Sequence, residues 1–325
     1  REFRRREAFQ EIDFEAMFAP VAKWAVEVDD AARMPEITAR AFAVAAGGRP
    51  GPVVVSLPED MLTDEVDVPD AKVAANASPE PSDADIARIN DLLSTAERPL
   101  VIFGGGGWSA EICAEFETFC ESNGLPAVSS FRVMDIFNND HPNFVGELGY
   151  NTNPKLTQRV LDADLLLVVG ARLGETTSQA YTIIKAPRPD QTMIHVYPDH
   201  TELGRVYQAD LPIASGIGAF VSKARRSLQL DPGRWADWLK AGRSDFDAWT
   251  VPVDVPGPLN PAELFVQLRD ILPDEAIITT DAGNFAGWTS RFYKFRTYRT
   301  QLGPANGSMG YGMPGAIGAQ LARPD

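Results

Sequence analysis

Pro99-Leu100-Val101-Ile102-Phe103-Gly104-Gly105-Gly106-Gly107-Trp108-Ser109-Ala110 is the stretch that decides the fold. Residues 99–103 form a short apolar run closed by glycines, which predicts a buried strand. Gly104 to Gly107 then predict a tight loop, and residues 109–123 a helix. Outward from this unit the same alternation repeats. Residues 85–96 read as a helix, 126–130 as a strand, 155–163 as a helix, 164–170 as a largely apolar strand, 192–197 as a strand and 214–228 as mainly helical. Strands alternating with helices predict an α/β domain over 83–230, a Rossmann-like parallel sheet covered on both faces.

The flanks read differently. Residues 1–67 end in an Ala-rich helix at 37–46, a break at Gly47-Gly48-Arg49-Pro50-Gly51-Pro52, and a buried strand at 53–57 that Pro58 stops. Residues 68–82, rich in Ala, Pro and Asp, read as a linker. Residues 231–258 hold Trp235, Trp238 and Trp249, then Pro252, Pro256 and Pro258, and read as a short helix and a proline-rich linker. Residues 259–325 restart with a helix capped by Asn260 with Pro261 in its first turn. A strand at 276–280 and a Gly-rich segment follow.

Composition narrows the function classes. The chain has 325 residues, enough for two or three domains, with 44% hydrophobic and 23% charged residues, an ordinary globular balance. A formal net charge of -15 argues against general affinity for nucleic acid or anionic lipid. There is no apolar run of about 18 residues, so no membrane span is expected. Cys113 and Cys120 share one face of a predicted helix, which fits two buried thiols in a reducing, cytoplasmic setting. With only His141, His195 and His200 beside them, no zinc spacing results and no metal ligand is assigned.

Three motifs carry possible chemistry. Gly105 to Ala110 fits G-x-G-x-x-A, the loop that brings backbone N–H groups to a pyrophosphate. The next strand ends in Ser129-Ser130-Phe131 rather than in an acid for a ribose, which disfavours a nicotinamide site. A nucleotide loop and a ligand-free turn both stand. Arg172 lies just past a strand end, where it could hold a phosphate or pair with Glu175. Gly307-Ser308-Met309-Gly310-Tyr311-Gly312-Met313-Pro314 opens a helix, and Asp281-Ala282-Gly283-Asn284 follows a strand. Loop and helix N-terminus together could form an anion site, against the bland alternative of a packing helix rich in small residues.

Taken together, Gly307 to Ala319, Arg6-Glu7-Ala8-Phe9-Gln10-Glu11, residues 48–60, 99–107 and 165–175 resemble segments of thiamine-diphosphate-dependent enzymes of the acetolactate synthase large-subunit family. The segments occur in the family's order over essentially the whole chain. The resemblance implies the end of a pyrimidine-binding domain at 1–67, a central nucleotide-binding-like domain at 83–230, and the beginning of a diphosphate-binding domain at 259–325. It implies that Phe9 and Gln10 reach the active site and that Lys23 stands near the substrate entrance. Gly283, Asn284, Gly307, Ser308 and Met309 would meet the cofactor, with Met309 under its aminopyrimidine ring. Asn284 stands where several relatives carry glutamine.

The implied reaction is decarboxylation of a 2-oxo acid, pyruvate first, and carboligation to a second carbonyl, in a homodimer or homotetramer. Alternatives are a related decarboxylase or a non-catalytic dinucleotide-binding module. The resemblance places the catalytic glutamate before Arg1 and the Mg²⁺ ligands after Asp325, so the chain is expected to be an internal fragment that is inactive by itself. FAD is a possible central-domain ligand through Gly105, Gly106 and Arg172. Tyr197 stands where relatives often carry aspartate, which weakens the contacts expected for FAD.

Overall fold

In the computed structural model residues 1–72, 75 and 77–324 are described. Of the 68–82 linker, residues 73, 74 and 76 thus lie outside the described residues. The chain divides into two units, Arg1–Ser78 and Pro79–Asp325.

The first unit comprises α1 (Phe14–Phe18), β1 (Trp24–Glu27), α2 (Met34–Ala46) and β2 (Val53–Ser56). β1 and β2 pair in parallel, Trp24 opposite Val53. Val28, Ala31, Ile37 and Met61 form their small core. The Ala-rich run thus becomes a helix, beginning at Met34 because Pro35 suits a first turn.

The second unit runs α3 (Asp83–Thr95), β3 (Pro99–Phe103), α4 (Ala110–Ser122), β4 (Ala127–Ser129), β5 (Phe144–Glu147), α5 (Pro154–Asp162), β6 (Leu165–Val169), β7 (Thr192–Tyr197), β8 (Leu211–Ala214) and α6 (Ile217–Ser227). It continues with α7 (Ala236–Trp249), α8 (Pro261–Ile271), β9 (Ile278–Thr279), α9 (Ala286–Phe292), β10 (Gln301–Leu302) and α10 (Gly312–Ala322).

β3 to β8 build one parallel sheet in the order β5-β4-β3-β6-β7-β8. Counted from β3 as first, this is 3-2-1-4-5-6, the order of a doubly wound nucleotide-binding fold. The strands read as continuous apolar runs because both faces are covered. Val101 and Phe103 of β3, with Leu165, Leu167 and Val169 of β6, enter one core. Leu100, Ile102, Leu166 and Val168 enter the other. α3, α4 and α6 close the first core, and α5 lies against the second.

Residues 214–228, expected to be mainly helical, begin differently. Ala214 ends β8, and the helix starts at Ile217. Residues 231–258, expected as a short helix and a proline-rich linker, contain the helix in a longer form. They hold the 14-residue α7, whose neighbour Trp235 and whose Phe246 enter the first core. β9 and β10 form a separate parallel pair.

Local capping fixes where the second unit starts. Ser82 Oγ accepts from the Asp85 amide at 3.1 Å, and the Asp85 carboxylate accepts from the Ser82 amide at 2.8 Å. This reciprocal box satisfies two otherwise unpaired N–H groups of α3. Ser82→Ala is expected to cost about 1 kcal/mol, measured as a shift of the urea midpoint at unchanged slope.

Candidate active site

Two places merit scrutiny: the carboxyl edge of the six-stranded sheet, and the cleft between that edge and the turns after β9 and β10.

At the sheet edge, the crossovers after β3 and β6 leave in opposite directions, which makes the gap between them the topological switch point. The glycine loop sits there, packed backbone to backbone against the turn after β6. A Cβ on Gly105, whose φ is +69°, would lie 2.1 Å from the Gly170 carbonyl oxygen. One on Gly170 would lie 2.5 Å from that of Gly104. Trp108 folds back over the loop and donates its indole N–H to the Gly104 carbonyl at 2.9 Å. Ser109 caps α4 through the Ile112 amide. Gly106 borders open space.

Arg172 pairs with Glu202 at 3.1 Å rather than with Glu175, and Glu202 is also held by Arg205. His195 is a core residue whose Nε2 lies 2.9 Å from the Ala171 carbonyl, and burial lowers its pKa. Tyr197 is buried. Cys113 and Cys120 are free and buried in α4. Burial pushes the Cys113 thiol up to about 12 and raises Cys120 as well, so neither is a nucleophile at neutral pH.

The cleft has a volume of about 910 Å³. Gly283 and Asn284 from the turn after β9, and Gly307 from the loop after β10, line one side. Arg132 and Glu147, from the sheet edge, line another. α9 closes it with Ser290 and Arg291. The structure therefore brings three of the expected cofactor residues together. Ser308 and Met309 lie on the same loop, both exposed, with Ser308 turned onto Asn306 at 3.0 Å.

The helix terminus beside them is partly used by the protein itself. The Asp281 carboxylate accepts from the amides of Gly310 and Gly312, each at 2.9 Å. Those N–H groups, with that of Ala282, hold the Asp281 carboxyl below its ordinary range. The anion-holding capacity expected of this helix start is thus taken up in part by an internal carboxylate, and in the loop before it the Gly307 amide donates to the Pro304 carbonyl at 3.0 Å and the Ser308 amide to Asn306 Oδ1 at 3.2 Å.

Arg132 and Glu147 were not found from the sequence. Arg132 adopts φ of +61° and reaches across to donate to the carbonyls of Pro304 at 2.5 Å and Asp281 at 3.2 Å. Its own amide donates to Glu147 Oε1 at 2.6 Å. Burial pushes the Glu147 carboxyl up to about 7, against the opposing pull of the Arg132 N–H, the Arg132 charge and the Ser290 hydroxyl. The sequence signal was a lone acid in the apolar stretch Phe144-Val145-Gly146-Glu147-Leu148.

Phe9, Gln10 and Lys23 belong to the first unit. Phe9 is 94% exposed, Gln10 has φ of +63°, and Lys23 Nζ donates to the Gly47 carbonyl at 2.6 Å. Among the described residues no group of three or more His, Cys, Asp or Glu could hold a metal ion, and no helix is long and apolar enough to cross a membrane.

Residues 86–224 match the family described as the thiamine pyrophosphate enzyme central domain. Residues 281–325 match the C-terminal TPP binding domain of such enzymes. The chain is 33% identical to the acetolactate synthase large subunit of Parasynechococcus marenigrum, over 98% of this chain and 52% of that protein. It is 29% identical to the isozyme 1 large subunit of Escherichia coli, over 98% and 56%. It is 28% identical to the probable large subunit of Methanocaldococcus jannaschii, also over 98% and 56%. The chain spans about half the length of these curated relatives.

Proposed function

We propose that this chain, which carries thiamine pyrophosphate enzyme central and C-terminal domains, serves a thiamine-diphosphate-dependent 2-oxo acid carboligase of the acetolactate synthase type, acting first on pyruvate. The carrying observation is the cleft. It gathers Gly283, Asn284 and Gly307 at the ends of two parallel strands, inside the segment that matches a TPP binding domain.

The residues fit a diphosphate. Gly307 has φ of +75° and no neighbour where a Cβ would sit, so its backbone can approach a phosphate closely. Asn284 is exposed at the cleft wall and offers an amide donor. Thiamine diphosphate, when bound, supplies the electron sink that makes loss of carbon dioxide from a 2-oxo acid feasible. The protein's part is orientation: the two turns hold the phosphates, Met309 offers a thioether to an aromatic ring, and the aromatic wall of α9 excludes water. Phe9, Gln10 and Lys23, in the first unit, are proposed as catalytic residues on the resemblance alone. Mg²⁺ would accompany the diphosphate, and no described residue is assigned to it.

FAD fits incompletely. Gly105, Gly106 and Arg172 are the candidate contacts, but the loop is packed on Gly170, Arg172 is neutralised by Glu202, and Tyr197 replaces an acid and is buried. A homodimeric or homotetrameric, cytoplasmic enzyme is proposed, as the resemblance implies.

The test is calorimetric titration of the full chain with thiamine diphosphate and Mg²⁺. Saturable binding is expected. Asn284→Ala should weaken it about tenfold, the worth of one hydrogen bond to a charged group at roughly 1.5 kcal/mol. A chain that binds neither cofactor nor pyruvate would sink the reading.

A further inference from the structure

The sheet-edge end of the cleft has a chemistry of its own. Arg291, in α9, donates Nε to the Trp249 carbonyl at 2.8 Å and stacks 3.5 Å over the Trp249 ring. It has no carboxylate partner among the described residues, and burial lowers its pKa. A guanidinium that lines the cleft and has no carboxylate partner among the described residues is poised for an anion. Arg132 is the second cation of the same cleft, braced by the Pro304 and Asp281 carbonyls.

Glu147 stands between them in role. It receives the Arg132 amide and the Ser290 hydroxyl. The charged groups lining this cleft are Arg132, Arg291, Glu147 and Glu175, while the Asp281 carboxylate is turned away onto Gly310 and Gly312. With Glu147 ionised, the two cations are balanced by two carboxylates. With Glu147 protonated, one positive charge is left over, and the carboxyl gains an O–H donor.

We propose that Arg132, Arg291 and Glu147 form a subsite for the carboxylate of a small organic acid, and that Glu147 carries its proton when the anion is bound. The proposal rests on the 2-oxo acid reading above and names residues for substrate recognition. In it Arg291 contributes the charge and Arg132 the second cation. Protonated Glu147 donates to the neighbouring oxygen of the ligand instead of repelling it. The upward displacement of this carboxyl by burial puts the proton transition in the neutral range, so binding should weaken as pH rises through about 7.

The experiment uses the full chain with thiamine diphosphate and Mg²⁺ present, titrated with pyruvate, whose own carboxyl is ionised throughout. Calorimetry is run at pH 6 and pH 8, and at pH 7 in two buffers of different ionisation enthalpy. Affinity should fall about tenfold from pH 6 to pH 8, because the protonated fraction of a group titrating near 7 falls by that factor. At pH 7 binding should take up roughly half a proton. Glu147→Gln, which keeps the shape and an N–H donor, should still bind and should lose both the pH slope and the proton uptake. Arg291→Gln should weaken binding at least tenfold at both pH values. Circular dichroism checks that each variant is folded, and Arg291→Lys, which retains charge without the stack, should recover part of the loss if Arg291→Gln is destabilised. An unchanged slope in Glu147→Gln, with thiamine diphosphate still bound, overturns this subsite alone. Failure to bind thiamine diphosphate as well as pyruvate overturns the functional reading on which it rests.

Discussion

Gly105→Ala is expected to destabilise the central sheet rather than only to weaken a ligand. Gly105 has φ of +69°, and its Cβ would stand 2.1 Å from the Gly170 carbonyl oxygen. A side chain in the left-handed region costs about 1–2 kcal/mol. Overpacking adds about 1–3 kcal/mol where neighbours can move. Here the obstacle is backbone, and the turn it belongs to leads out of β6, the strand registered beside β3 over Pro99–Phe103 and Leu165–Val169. Relief requires parting the two loops at the centre of the sheet. A loss of roughly 3–5 kcal/mol follows, read as a lower urea midpoint. Gly106→Ala is the control, because its φ is not in the left-handed region and nothing lies within 4 Å of its Cβ; it should change stability by less than about 0.5 kcal/mol. Equal midpoints for the two variants would show that the glycine loop is not packed as described. The comparison also separates the two readings of G-x-G-x-x-A. A glycine kept for packing fails in stability, and one kept only for a ligand fails in binding.

Much of the sheet was legible because its central strands obey one rule. β3, β6 and β7 are short apolar runs with turn residues at their ends, as strands buried on both faces must be, and β7 was read to the residue. The edges were not legible. β5 contains Gly146, and β8, Leu211-Pro212-Ile213-Ala214, contains a proline. A proline in a run argues against a central strand, but it is tolerated at an edge, and β8 is the edge. β10 spans two residues, too few for any period, whereas β9 lies within the strand expected at 276–280. The wall of the cleft that holds Gly283, Asn284 and Gly307 was legible as glycines that follow strands. The cleft's other side was not, since Arg132 and Glu147 come from the loop after β4 and the end of β5 and belong to no motif.

Trp235→Ala should produce the second large loss, and it tests where the central unit ends. By composition, residues 231–258 read as a short helix and a proline-rich linker, with three tryptophans and four prolines. In a linker a tryptophan would be solvated, and its removal would change stability by less than about 0.5 kcal/mol. Instead Trp235 is 2% exposed and donates its indole N–H to the Ala96 carbonyl at 3.0 Å, at the turn between α3 and β3. It joins the core that holds Phe103, Phe116 and Phe144. Beyond it, α7 packs along α5, where the Arg159 guanidinium lies 4.0 Å from the Trp238 ring and donates to the Trp238 carbonyl. Removing Trp235 takes away a large buried ring, leaves a cavity under the sheet, and removes one of the two donors to the Ala96 carbonyl, the other being Arg234. Truncations of this kind cost about 3–5 kcal/mol. The measurement is urea unfolding of the full chain followed by circular dichroism and by the fluorescence of the remaining tryptophans. Coincident transitions, shifted together to lower urea, would place α7 inside the cooperative unit of the sheet. A wild-type midpoint would return residues 231–258 to the status of a tether. It would also mean that residues 83–230 close their core without them.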